Sequence, residues 1–154
     1  MVDLVLPMAE KENKAVIHFA GKDLFVGITP SGHAQAIETD SERSSAATPM
    51  ELLLLALGSC TGIDVISILK KQRQAVTDYR IEVKGERRDE FPRSYTRLEV
   101  KHIVRGHDVS EQALARAIEL SDQKYCSVAA TLRGSAEIVT TYEIENEDRT
   151  DGPS

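Results

Sequence analysis

The sequence predicts an α+β fold. Three observations carry this: strand-like runs in the first forty residues, one long apolar helix opened by a capping box at Thr48, and a later block of two alternating strands, a helical stretch and a final strand. Strands and helices arriving in blocks, without strict βαβ alternation, indicate α+β and not a doubly wound sheet.

The elements follow in order. Residues 15–20 (AVIHFA), 24–28 (LFVGI) and 33–38 (HAQAIE) read as strands, separated by the turn-rich segments Gly21-Lys22-Asp23 and Thr29-Pro30-Ser31-Gly32. Residues 40–47 (DSERSSAA) form a polar loop. Thr48 as N-cap, Pro49 at the first helical position and Glu51 at the third satisfy the capping-box pattern. The helix is expected to run to about Arg73, with Lys70, Lys71 and Arg73 suiting its negative C-terminal end. Its middle is apolar or small on nearly every side, so protein should surround it. Residues 78–88 alternate, with Tyr79, Ile81 and Val83 on one face; residues 95–105 alternate with Leu98, Val100 and Val104 on one face. Ser110 caps a helix over 111–124, which breaks or restarts at Cys126 before a short helix over 127–132. Gly134 opens a last strand over 136–142.

Composition narrows the class of function. The chain has 154 residues, 19 Lys+Arg against 25 Asp+Glu, two cysteines, no tryptophan and 41% hydrophobic residues. That length supports one domain with an adequate core, so a disulfide scaffold is unnecessary. Residues 143–154 hold five acids and one arginine, net −4, so the other 142 residues carry only −2 of the total −6. The expectation is a single domain over 1–144 and an acidic, disordered tail over 145–154. No basic stripe exists for tracking phosphates, which argues against a nucleic-acid partner. The N-terminus lacks a basic n-region and a cleavage site, and the apolar run 52–69 carries Asp64, Gly58, Ser59, Thr61 and Gly62. A cytoplasmic protein with no membrane partner is expected, its cysteines resting as thiols.

The sharpest local feature is Gly58-Ser59-Cys60-Thr61-Gly62. A hydrolase nucleophile elbow of this form needs a strand before the cysteine, whereas the capping box has already started a helix there. Gly58 and Gly62 read as a place where another backbone packs closely, with Cys60 a small core residue. Against that stands Cys126 at a helix start, which makes a peroxidatic and resolving pair an open alternative. The capping box explains Glu51; as a catalytic candidate it lies nine residues, about 900° and about 13 Å, from its own Cys60 on the opposite face, and could approach a Cys60 more readily across a two-fold axis. His102 shares the apolar face of its strand and reads as a satisfied core histidine. His18, His33 and His107 have no partners at ligand spacing, and neither a zinc nor a calcium pattern occurs. Arg87 shares the inward parity of Tyr79, Ile81 and Val83 unless Gly85 introduces a bulge.

The stretch Thr48-Pro49-Met50-Glu51 through Gly58-Ser59-Cys60 and Ile63-Asp64-Val65, together with Lys124-Tyr125-Cys126-Ser127-Val128 and the element order between, resembles the OsmC/Ohr family of hydroperoxide reductases. The likeness spans about residues 15–143, and Glu86 to Arg93 looks most like the YhfA-like branch. It implies an intertwined α+β homodimer with N-terminal strands, a long central helix, a second sheet and C-terminal helices, and with active sites at the subunit interface. By resemblance Cys60 is the peroxidatic cysteine that reduces an organic hydroperoxide to an alcohol. Cys126 then resolves the sulfenic acid as a disulfide, and an external dithiol reduces it, with no bound cofactor or metal. A second expectation within the family is a non-peroxidase member that binds a small apolar or thiol-bearing ligand at the interface. Two positions depart from the family's peroxidases. Met50 stands where they place a glutamate, with Glu51 one step, about 100°, further around the helix. They also draw an activating arginine from the N-terminal strands, where this chain offers only Arg43; Arg87 or Arg88 is the substitute candidate.

Overall fold

The computed structural model describes residues 13–39, 42 and 44–147. It is an α+β protein whose chain falls into two compact units, Met1–Leu52 and Leu53–Ser154.

In the first unit, β1 (Val16–Phe19), β2 (Leu24–Ile28) and β3 (Ala34–Glu38) form an antiparallel meander in the order β1-β2-β3. Gly21 and Lys22 both adopt positive φ at the first turn, a conformation glycine reaches without a steric penalty. The Phe19 and Phe25 rings, in register across the pair, stand 5.4 Å apart. Glu38 is almost completely buried, and its carboxylate accepts hydrogen bonds from the Ser45 backbone N–H and hydroxyl, tying the loop back to β3. Arg43 lies outside the described residues.

Helix α1 (Pro49–Lys71) starts as the capping box requires. The Thr48 backbone N–H donates to Glu51 Oε2 at 2.7 Å, and the Glu51 N–H donates to Thr48 Oγ1 at 3.3 Å. The helix stops two residues earlier than expected, with Arg73 in the left-handed region. By length and composition α1 could cross a membrane, but Leu57, Thr61, Val65 and Leu69 are buried within the protein.

The second sheet has the order β4-β5-β6. β4 (Ala75–Arg87) pairs antiparallel with β5 (Tyr95–His107), which pairs parallel with β6 (Glu137–Asn146). Leu98, Val100, His102 and Val104 are buried on one face of β5, as the alternation predicts. The other face carries ion pairs across the β5–β6 ladder, Arg97 with Glu137, Lys101 with Glu143 and Arg105 with Glu145, each at 2.7 Å. The parallel pair requires a crossover, supplied by α2 (Glu111–Leu120) and α3 (Ser127–Leu132). Ser110 Oγ accepts from the Ala113 N–H, and α2 then buries Leu114, Ala117 and Ile118 against Val65, Leu69 and Val104.

Three expectations change. The helix over 111–124 changes geometry part-way: α2 ends at Leu120 and runs straight into a single π turn, Ser121–Tyr125, before the break at Cys126. β6 reaches Asn146, so it runs past residue 144, while residues 148–154 of the expected tail lie outside the described residues. Arg87, expected inward by its parity, is exposed because it is the last residue of β4, where the strand leaves the sheet; the register shift beside it inserts its extra residue, Thr96, on β5.

Candidate redox site

The site is assembled where α1 meets the end of the α2–α3 crossover. Cys60 and Asp64, one helical turn apart on α1, share a face, and Thr61 lies beside them. That position depends on the two glycines. A Cβ at Gly62 would stand 2.5 Å from Ile81 Cδ1, and one at Gly58 3.0 Å from Val83 Cγ2. The expected close approach of another backbone is not what these glycines serve: they make room for β4 side chains, which lets α1 sit low on the sheet.

Cys126 arrives by the π turn. Its backbone N–H donates to Ser121 O at 2.8 Å, an i to i−5 bond, after which its own backbone turns extended to cap α3. The Cys60 sulfur, the Cys126 sulfur and a carboxylate oxygen of Asp64 all lie within 4.8 Å of one another. Ser121, fully buried, holds the arrangement: its hydroxyl donates to Asp64 Oδ2 at 2.9 Å and stands 3.1 Å from the Thr61 hydroxyl.

The two thiols are unequal. Cys60 is half-buried and Cys126 is buried. Burial pushes the Cys126 thiol up to about 11; the Ala129 N–H, 3.4 Å from its sulfur, opposes this, while hydrogen bonding and charge from Cys60 and the charge of Asp64 add to it. Cys126 is therefore a protonated thiol at neutral pH, and the accessible Cys60 is the first to meet a reagent. Both charges acting on Cys126 are negative. A cavity beside Cys126, lined in part by Leu57, Thr61 and Ala129, measures about 10 Å³, room for roughly one water.

Of the other candidates, Glu51 is exposed at the helix start, its carboxylate committed to the cap; hydrogen bonds from Thr48 hold its pKa below the usual carboxylate range. Arg87 Nε donates to Arg93 O at 2.6 Å within its own hairpin. Neither is among the charges that act on Cys126. His102 is fully buried on β5, its Nδ1 2.7 Å from the Tyr79 hydroxyl and its Nε2 without a hydrogen-bond partner among the described residues. Burial drives the imidazole down to about 4, so it is neutral. Tyr79 is raised, first by burial and then by the nearby Asp64 charge. The sequence reading missed Asp64 and Ser121 as site residues; the spacing of Cys60 and Asp64 on one helical face was the available signal.

The profile of the family described as OsmC-like protein matches residues 40–141. Protein YhfA of Escherichia coli (strain K12) is 43% identical over 120 residues, covering 78% of this chain and 89% of that protein. A hypothetical protein from Aquifex aeolicus VF5 shares 35% identity at a TM-score of 0.78, over 88% of this chain and 98% of that one. The organic hydroperoxide resistance protein OhrB of Bacillus subtilis has the same fold at 16% identity and a TM-score of 0.59, over 84% of this chain and 96% of that one. With the two cysteines drawn together in this fold, the chain belongs to the OsmC-like protein family.

Proposed function

We propose that the protein is a thiol-dependent peroxidase that reduces organic hydroperoxides, with Cys60 peroxidatic and Cys126 resolving. The observation that carries this reading is the approach of an accessible thiol and a buried one to within 4.8 Å, from positions far apart in sequence. The hydroperoxide resistance named for the Bacillus subtilis protein of the same fold supports it.

The steps balance without a cofactor. The Cys60 thiolate attacks the distal oxygen of ROOH, an S–O bond forms, the O–O bond breaks, and the alkoxide takes a proton to leave as ROH. Cys60 is then a neutral sulfenic acid, so its charge no longer opposes ionisation of Cys126. The Cys126 sulfur attacks that of Cys60, the S–O bond breaks, and hydroxide leaves as water with the proton Cys126 gives up. Asp64, close to both sulfurs, is placed to relay it. The sum is two thiols and ROOH giving a disulfide, ROH and water. An external dithiol restores the thiols by exchange.

The working unit in this proposal is a homodimer. The cavity of about 10 Å³ beside Cys126 is too small for an organic hydroperoxide, while α1 presents Leu55 and Ile63 to solvent at 64% and 67% exposure on either side of Ser59. A second copy seated on that stripe would wall the substrate site next to Cys60.

The test is direct. Reduced protein receives one equivalent of cumene hydroperoxide; free thiols are counted and peptides mapped by mass spectrometry. Loss of both thiols with a Cys60–Cys126 link is expected, and two intact thiols after prolonged exposure overturn the reading.

A further inference from the structure

The same cluster has a second chemistry that needs no peroxide. Two sulfurs and a carboxylate oxygen within 4.8 Å of one another put three metal-ligating atoms on one small triangle. Tetrahedral zinc, with bonds of about 2.3 Å to sulfur and about 2.0 Å to oxygen, holds such donors about 3.5–3.8 Å apart. Closing the triangle therefore asks for movements of about 1 Å, within the reach of side-chain torsions. The carboxylate is already oriented, because Asp64 Oδ2 accepts the Ser121 hydroxyl at 2.9 Å, the kind of outer hydrogen bond that fixes a metal-ligating carboxylate. Cys60 and Asp64 are only half-buried, which leaves a path for an ion.

We propose that the reduced site binds one thiophilic divalent cation of the zinc type through Cys60 Sγ, Cys126 Sγ and an Asp64 carboxylate oxygen, with a fourth position open to water or an external thiol. Two thiolates select against magnesium and calcium, which take oxygen ligands. Binding releases the thiol protons to solvent. The sequence has no recognisable ligand spacing because Cys126 comes 66 residues after Cys60 and only the π turn brings it back.

One consequence rests on the peroxidase reading. The sulfur lone pairs that hold the cation are those that form the disulfide, so metal and oxidation exclude each other. Two bound thiolates, ROOH and two protons give the disulfide, ROH, water and the free cation; the sulfurs lose two electrons and the O–O bond gains them. The cation would shield the thiols at rest, and peroxide would release it.

The experiment uses no peroxide, so its outcome is independent of that reading. Reduced full-length protein, stripped with a chelator and kept anaerobic, is titrated with Co²⁺ as a coloured substitute for zinc. The expected result is a sulfur-to-cobalt charge-transfer band with the intense visible absorption of tetrahedral cobalt, saturating at one ion per chain and bleached by Zn²⁺. Ser121→Ala should weaken binding about tenfold and Asp64→Asn by at least that, with the charge-transfer band retained. Absence of the band at excess cobalt, or wild-type affinity in Asp64→Asn, overturns the site. Alkylation of Cys60 in the wild-type chain, followed by mass spectrometry with and without Zn²⁺, decides the matter even if a variant misfolds: zinc should slow it, and equal rates refute the proposal.

Discussion

Cys126 illustrates how one residue's surroundings divide a chemical task. Its thiol is pushed up to about 11 by burial and by two neighbouring negative groups, so it should ignore alkylating agents that Cys60 meets freely. At pH 8, iodoacetamide on the reduced folded protein should label Cys60 and leave Cys126 unmodified, with Cys126 reacting only as the pH approaches that value or in denaturant. Equal labelling of both at pH 8 contradicts the assignment. The same asymmetry predicts the variants: Cys126→Ser should still react with hydroperoxide but stop at a sulfenic acid trapped by dimedone, and Cys60→Ser should leave Cys126 reduced. A disulfide-linked product that needs only Cys126 would reverse the two roles.

At the scale of the element, the second sheet carries two testable constraints. His102, on β5, has a folded pKa of about 4 against an ordinary value of 6.5. The unfolded chain binds the proton more readily, so this histidine adds stability above pH 6.5 that is lost as the pH falls towards 4, up to about 3 kcal/mol. Urea denaturation at pH 7.5 and 4.5 should show that loss in wild type and a smaller one in His102→Phe, after both are corrected for the carboxylates they share. An imidazole that titrates above pH 6 by NMR would refute it. Gly85, on β4, is the second constraint. The Tyr95 ring occupies the place of its missing side chain, with Tyr95 Cε1 only 2.3 Å from where a Cβ would be. Because Tyr95 is buried and its ring rigid, Gly85→Ala should cost about 2 kcal/mol, read as a lower denaturation midpoint. An unchanged midpoint would mean that the ring has room to move.

These elements also show what could be read in advance. Alternation located β4 and β5, because an amphipathic strand records its buried face in its own residues. The capping box located α1 for the same reason: Thr48, Pro49 and Glu51 act on one another locally. The π turn was not legible, since Ser121 to Tyr125 contains no helix-breaking residue and the wider turn is set by tertiary contacts of Ser121 with α1. Asp64 was hidden likewise. Its spacing put it on the face of Cys60, but its partner Ser121 lies 57 residues away, so nothing local marked it as part of a site. Arg87 fails for a different reason: parity assigns a face only where the sheet continues, and Arg87 is the last residue of β4, its Nε turned to Arg93 O in the hairpin.

At the scale of the whole molecule, the decisive question is how many copies make a site. The proposed homodimer rests on apolar side chains left open on α1. Fully burying a leucine or an isoleucine is worth about 1.5–3 kcal/mol, and Leu55 and Ile63 each leave more than half of that unrealised in a single chain. They flank Ser59, next to the half-buried Cys60, so covering them would also cover the approach to the reactive sulfur. Ile63→Glu places a carboxylate on the stripe at a position that is already exposed in one chain, so folding should survive while association suffers. Wild-type protein should sediment as a dimer at micromolar concentration, and the variant should dissociate with its dissociation constant raised at least about tenfold. Hydroperoxide turnover should fall in step with the dimer fraction and recover at high protein concentration. A wild-type chain that sediments as a folded monomer with full turnover would show that Cys60, Cys126 and Asp64 need no second copy.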